Sequence, residues 1–184
     1  MVQNNEHMFK KLNLSPLAIK VLAYLSRSPN KQYYVREIAR LNQNSLGGCH
    51  KVLKELFNME LVDMEKSGRN QYYKIRIGNP AIAHFKIFIN VQELNDILKD
   101  IKNMSKKIIL FGSCAMGEDT LDSDIDILVI TEDVEEIKKI LKGASVGGRK
   151  LKPIILSPHG FVNLKNNDIA FYAEVNKGMV LWRD

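Results

Sequence analysis

Asp124 and Asp126 stand one residue apart in Asp124-Ile125-Asp126-Ile127-Leu128-Val129-Ile130, a run that otherwise has the composition of a buried strand. Side chains alternate along a strand, so both carboxylates point to one side while Ile125 and Ile127 point to the other. Two neighbouring carboxylates repel, and desolvating them costs several kcal/mol apiece unless a cation or hydrogen-bond donors compensate. A pair of Mg²⁺ ions, or Mn²⁺, would do so. Hard divalent cations take oxygen ligands, and two of them about 3.5–4 Å apart activate a nucleophile and hold the oxygens of a triphosphate. Upstream, the apolar run Lys107–Phe111 stops at Gly112-Ser113. Glycine lets phosphate approach the backbone closely, and the serine N–H and hydroxyl can donate to a nucleoside triphosphate.

Gly112-Ser113, ten residues, then Asp124-Ile125-Asp126 with Ser123 just before it resembles the signature of the polymerase-β-like nucleotidyltransferase superfamily in its minimal form. The resemblance implies a mixed sheet flanked by helices, with Asp124 and Asp126 as catalytic metal ligands and Gly112 and Ser113 on the triphosphate. It also implies transfer of a nucleoside monophosphate to an acceptor, with pyrophosphate leaving. The chain departs from the family pattern twice. Met116 stands where members commonly carry the arginine of a Gly-Ser-x-Ala-Arg-Gly loop, which removes a guanidinium contact. Many members also place a third carboxylate on a neighbouring strand, here expected over residues 150–156, yet no Asp or Glu occurs between Glu136 and Asp168. That strand offers Lys150 and Lys152 instead. Lys152 is expected at the nucleotide phosphates, but a charged lysine cannot take a proton from the acceptor. Two readings stay open: an active Mg²⁺-dependent transferase, with a protein encoded nearby as one candidate acceptor, and a degenerate domain that senses nucleotide.

The elements around this motif fall into two modules. Residues 1–79 hold 13 Lys/Arg against 6 Asp/Glu, whereas residues 80–184 hold 14 against 15, so the excess of cations lies in the first module and suggests a polyanionic partner. Ser15-Pro16 predicts a helix start, followed by an apolar face of Leu17, Val21, Leu22 and Leu25 that ends near Ser28-Pro29-Asn30. A second helix is predicted over Val35–Leu41, with Val35, Ile38 and Leu41 inward. A third opens at Ser45, with Leu46, Cys49, Leu53 and Leu56 inward and Ser45, Gly48, His50, Lys51 and Lys54 on the solvent face. Two strand-like runs around Lys66-Ser67-Gly68-Arg69-Asn70 read as a hairpin with a basic tip.

Three helices and a two-stranded wing over residues 12–78 resemble the winged helix-turn-helix family of prokaryotic transcription regulators. In that family the third helix enters the major groove and the wing touches phosphate or the minor groove. Double-stranded DNA is therefore the expected partner, through Ser45, Gly48, His50, Lys51, Lys54 and Arg69. Gly47 and Gly48 each cost about 1 kcal/mol relative to alanine in a helix interior, which suggests a need for close backbone approach. Winged helices also serve as protein adaptors, and that alternative stays open.

Residues 80–104 read as a helical connector, either one helix or two with a break near Asn90; Phe85 and Phe88 are placed either in the core or on a homodimer seam. Residues 105–184 form the transferase-like module. Its tail carries N-caps at Ser157 and Asp168, a helix stop at Gly178, and a final run, Met179–Trp182, in which Trp182 is assigned to the core. The expected class is α+β with two domains: a winged helix, then a nucleotidyltransferase-like mixed sheet flanked by helices. Cys49 and Cys114 lack CxxC spacing and the four histidines are scattered, so neither a disulfide framework nor a zinc site is expected. With no apolar run near 18 residues and no secretory pattern, the expectation is no membrane partner and a cytoplasmic location.

Overall fold

The structure is a computed structural model that describes residues 13–68 and 70–184. The chain divides into two compact units, one up to Ile82 and one from Ala83 onward.

In the first unit, helix α1 (Pro16–Ser26) begins where Ser15 Oγ accepts the Ala18 N–H, with Pro16 as the first helical residue. The serine satisfies an orphan donor and the proline presets φ. Strand β1 (Tyr33–Tyr34) leads into α2 (Val35–Leu41), whose start is closed by Glu37 accepting the Tyr34 N–H at 2.8 Å. Helix α3 (Leu46–Asn58) is capped by Ser45 Oγ on the Gly48 N–H. Strands β2 (Val62–Ser67) and β3 (Asn70–Ile75) pair antiparallel, and β1 adds to β3, so the sheet runs β1-β3-β2.

The core of this unit gathers Val21, Leu22, Leu25, Ile38, Cys49, Leu53 and Leu56. Two expected inward positions are corrected. Leu41 and Leu46 are exposed, and Ala39 and Val52 are buried in their place. Both leucines flank the turn between α2 and α3, where a helical stripe no longer defines the inner side. The architecture is a winged helix with a third, short strand beyond the two expected.

Residues 80–101 form a single helix, α4 (Pro80–Ile101), followed by a 3₁₀ turn over Lys102–Met104. Asn90 does not break it; the side chain is fully buried and donates to the Cys114 carbonyl at 3.0 Å. From Ala83 the helix belongs to the second unit, and Leu94, Leu98 and Ile101 join its core. The expected connector is thus largely an integral helix of the second domain, and the first unit runs three residues past the expected boundary at 79.

Strand β4 (Lys107–Phe111), the short helix α5 (Gly112–Met116), β5 (Ile125–Ile130), α6 (Val134–Leu141), β6 (Ser145–Val146) and β7 (Arg149–Leu156) follow in order. Helices α7 (Pro158–Asn167) and α8 (Ile169–Asn176) and strand β8 (Met179–Arg183) complete the chain. The N-caps at Ser157 and Asp168 form as expected, accepting from Gly160 and Phe171. The sheet runs β6-β7-β5-β4-β8, with β5 parallel to β7 and antiparallel to β4. The parallel pair requires a crossover, which α6 supplies. Ile125, Ile127 and Val129 pack in one layer with Leu94, Ile101 and Ile137, while Leu128 and Ile130 pack in another with Phe111, Phe171 and Val175. A strand covered on both faces reads as a continuous apolar run, which is why the two aspartates stand out. Among the described residues, no helix is long and apolar enough to cross a membrane.

Candidate functional site

The two ends of the Gly-Ser and Asp-x-Asp motif meet at one end of the central sheet. Phe111, the last residue of β4, is the cross-strand partner of Asp126. The next residue, Gly112, adopts φ +66°, and a Cβ built there would stand 3.1 Å from Asp126 Oδ2. Only glycine combines that left-handed backbone with so close an approach. Asp124 and Asp126 are half-buried, whereas Ile125 and Ile127 are fully buried on the other side, the alternation that period 2 requires. Ser113 is half-buried one residue after Gly112.

Lys152 lies on β7 directly in register with Asp126. Its ammonium reaches diagonally to Asp124, with Nζ 2.5 Å from Oδ2. The position expected for a third carboxylate therefore holds a cation paired to the first. That hydrogen bond and charge hold the Lys152 ammonium above the ordinary lysine range. Burial pushes the Asp126 carboxyl up; Lys152 opposes the shift, and Asp124 and then Glu174 add to it.

Glu174, whose charge is felt at Asp126, is a neighbour that sequence reasoning missed. Helix α8 docks through Phe171, whose ring meets Phe111 edge-on with centroids 5.6 Å apart, and through the buried Val175. Glu174 follows Phe171 by about one turn, so α8 carries its carboxylate toward the Phe111–Asp126 end of the sheet. Among the described residues no three His, Cys, Asp or Glu side chains form a ready metal cage. An aspartate pair that needs further oxygens from a ligand suits Mg²⁺, which is commonly held by one or two carboxylates plus substrate phosphates.

A buried polar network braces the loop between the two motif halves. Arg149, at the start of β7, donates to Asp119 and Glu93, each at 2.8 Å, and to Asn90 Oδ1 at 2.8 Å. Asn90 also donates to Asp119, and Lys86 donates to the Asp119 carbonyl. Asp119 is fully buried and the Arg149 side chain is 3% exposed. Cys114 Sγ donates to the Asp124 carbonyl at 3.4 Å, and burial pushes its thiol up to about 11, away from the thiolate form. Gly117 closes α5 at φ +70°, where any Cβ would collide with the Ala83 carbonyl.

On the winged helix, His50, Lys51 and Lys54 lie exposed along one side of α3, and Ser45 is an exposed cap. Gly48 is half-buried, and a Cβ there would meet its own cap, Ser45 Oγ, at 3.0 Å and Leu17 of α1 at 3.3 Å; Gly47 has open space around it. Arg69 lies outside the described residues. Exposed Arg36 and Arg40 were missed: with Tyr34, Leu46, Asn70 and Gln71 they line an open groove of about 680 Å³. Their i, i+4 spacing on α2 was the available signal. Trp182 donates to the Ser105 carbonyl at 3.2 Å and pairs with Ile108, at the opposite end of β4 from Phe111, so it lies away from the aspartates. Phe85 is half-buried and Phe88 exposed.

Fold and site together define a winged helix joined to a nucleotidyltransferase-type domain. Residues 91–175 match the family model described as a nucleotidyltransferase domain. Among solved structures, the chain is similar to a candidate nucleotidyltransferase from Sulfolobus solfataricus, at 18% identity and TM-score 0.40 over 59% of this chain and 93% of that one. It is similar to a candidate transcriptional regulator from Methanosarcina mazei Go1 at 15% identity and TM-score 0.38, over 52% and 85% of the two chains. A homodimeric winged helix-turn-helix DNA-binding domain from Mycobacterium bovis aligns at 19% identity and TM-score 0.39, over 51% of this chain and 91% of that one. No curated protein matches the chain.

Proposed function

We propose that this chain is a DNA-binding protein whose C-terminal domain transfers a nucleoside monophosphate from a nucleoside triphosphate to an acceptor. The observation that carries the reading is the convergence of Gly112 on Asp126, with Asp124 on the same side of the strand. A bare backbone turn lies beside two same-facing carboxylates. A divalent cation, Mg²⁺ or Mn²⁺, would be held by Asp124 and Asp126 and would supply charge neutralisation at the phosphates.

Gly112 and Ser113 would bind the triphosphate, Gly112 by leaving room and Ser113 through its N–H and hydroxyl. In the transfer, an acceptor oxygen bonds to the α-phosphorus, the α–β bridging P–O bond breaks, and pyrophosphate leaves. The acceptor's proton goes to a carboxylate. Glu174, exposed on α8, is the candidate base that the Lys152 ion pair leaves free. His50, Lys51 and Lys54 of α3, with Arg36 and Arg40 of α2, would meet duplex DNA, and a homodimer would place two such helices on two half-sites.

A second reading, a regulator that senses nucleotide without transferring it, is favoured by Lys152 standing where the family resemblance expects a third acid. The test is incubation with each α-labelled nucleoside triphosphate and Mg²⁺, alone and with proteins encoded beside it. Label carried covalently by a macromolecule supports transfer. Bound label that is never transferred supports the sensor.

A further inference from the structure

Lys152 and Asp124 form an ion pair inside the proposed nucleotide site, and neither is buried: their side chains are 54% and 32% exposed. A pair this open to water is exchangeable. The lysine stands in register with Asp126, on the strand next to the aspartates, and has drawn off the carboxylate that a divalent cation would need. Asp126 beside it remains as a ligand, but no closed cage of three acids exists among the described residues. The cation's shell is therefore incomplete without oxygens from a ligand. A triphosphate supplies those oxygens, and it also offers the ammonium a more strongly charged partner than Asp124.

We propose that Lys152 is a specificity-determining residue that holds Asp124 until a triphosphate draws the ammonium away, so that divalent cation and nucleoside triphosphate enter the site as one unit. The inference rests on the proposed nucleotidyltransferase reading. It weakens the site's response to the cation alone and leaves the cation with triphosphate as the favoured ligand.

The diagnostic is a pair of effects of opposite sign. Lys152→Met in the full chain removes the competing ammonium, so Mn²⁺ added alone should bind about three- to tenfold more tightly. The same variant should bind a non-hydrolysable triphosphate, measured in chelator without metal, more weakly by a similar factor. Lys152→Arg keeps the charge and should resemble the parent in both titrations. Lys152 is exposed, so the variants are expected to fold.

Calorimetry gives both affinities. Mn²⁺ affinity that is unchanged or weaker in Lys152→Met overturns the inference, even where Mn²⁺ with triphosphate binds well and the nucleotidyltransferase reading stands. Failure of the parent chain to bind Mn²⁺ with triphosphate at all overturns that reading and the inference together.

Discussion

A Cβ on Gly112 would stand 3.1 Å from the Asp126 carboxylate, which ties the two halves of the motif, fourteen positions apart in the chain, into one site. The left-handed backbone at Gly112 and the strand period at Asp126 are separate constraints. Both are met only because β4 and β5 are antiparallel neighbours with Phe111 opposite Asp126.

Gly112→Ala should therefore act locally and strongly. An L side chain in the left-handed region costs about 1–2 kcal/mol, and the added methyl presses on the Asp126 oxygen. Thermal unfolding should show the stability loss, and titration with Mn²⁺ and a non-hydrolysable triphosphate should show nucleotide binding falling by at least about tenfold.

Asp126 bears on pH dependence. Burial, together with Asp124 and Glu174, raises its folded-state pKa above the unfolded value. The folded state thus holds the proton more tightly, and this site's contribution to stability is greatest below the unfolded pKa and is lost as pH rises through the folded one. Asp126→Asn should raise the melting temperature at neutral pH. The same variant should lose the melting shift that Mg²⁺ with nucleotide gives the parent chain. The gain should shrink at pH below the carboxylate range.

Arg149 tests the brace. Arg149→Met leaves the fully buried Asp119 without its closest guanidinium, and breaking a buried pair by removing one partner costs about 3–5 kcal/mol. Urea unfolding should report that loss. Asp119→Asn added to the same chain should recover part of it, because the buried carboxylate left with Lys86 at 3.7 Å is then neutral.

The winged-helix surface is tested by salt. Lys51→Ala and Lys54→Ala should each weaken duplex DNA binding, and each should flatten the slope of log affinity against log salt by about 0.9. Anisotropy titrations at several salt concentrations measure both. An unchanged slope would move the face toward a protein partner.

Local chemistry made much of this legible in the sequence. Ser15-Pro16, Ser157-Pro158 and Asp168 form the caps they spell, because a cap depends on residues three apart. The side to which Asp124 and Asp126 point followed from strand period alone, and the position of Lys152 followed from expecting its strand beside theirs. What stayed hidden depends on contacts distant in sequence. Arg149 meets Asn90 from 59 positions away, and no local pattern marks that pairing. Glu174 acts on Asp126 from α8, a helix that docks through Phe171 on Phe111. Gly48 also lies against Leu17 of α1, and periodicity on α3 could not reveal that neighbour.

The most direct test of transfer is a parallel reaction of the full chain with α-labelled and γ-labelled nucleoside triphosphate in Mg²⁺, with acceptor supplied from neighbouring proteins or nucleic acid. Transfer of a nucleoside monophosphate predicts α label on a macromolecule and an equal amount of γ label released as pyrophosphate, both lost in Asp124→Asn. Release of γ label as orthophosphate while the α label stays on free nucleotide would contradict it.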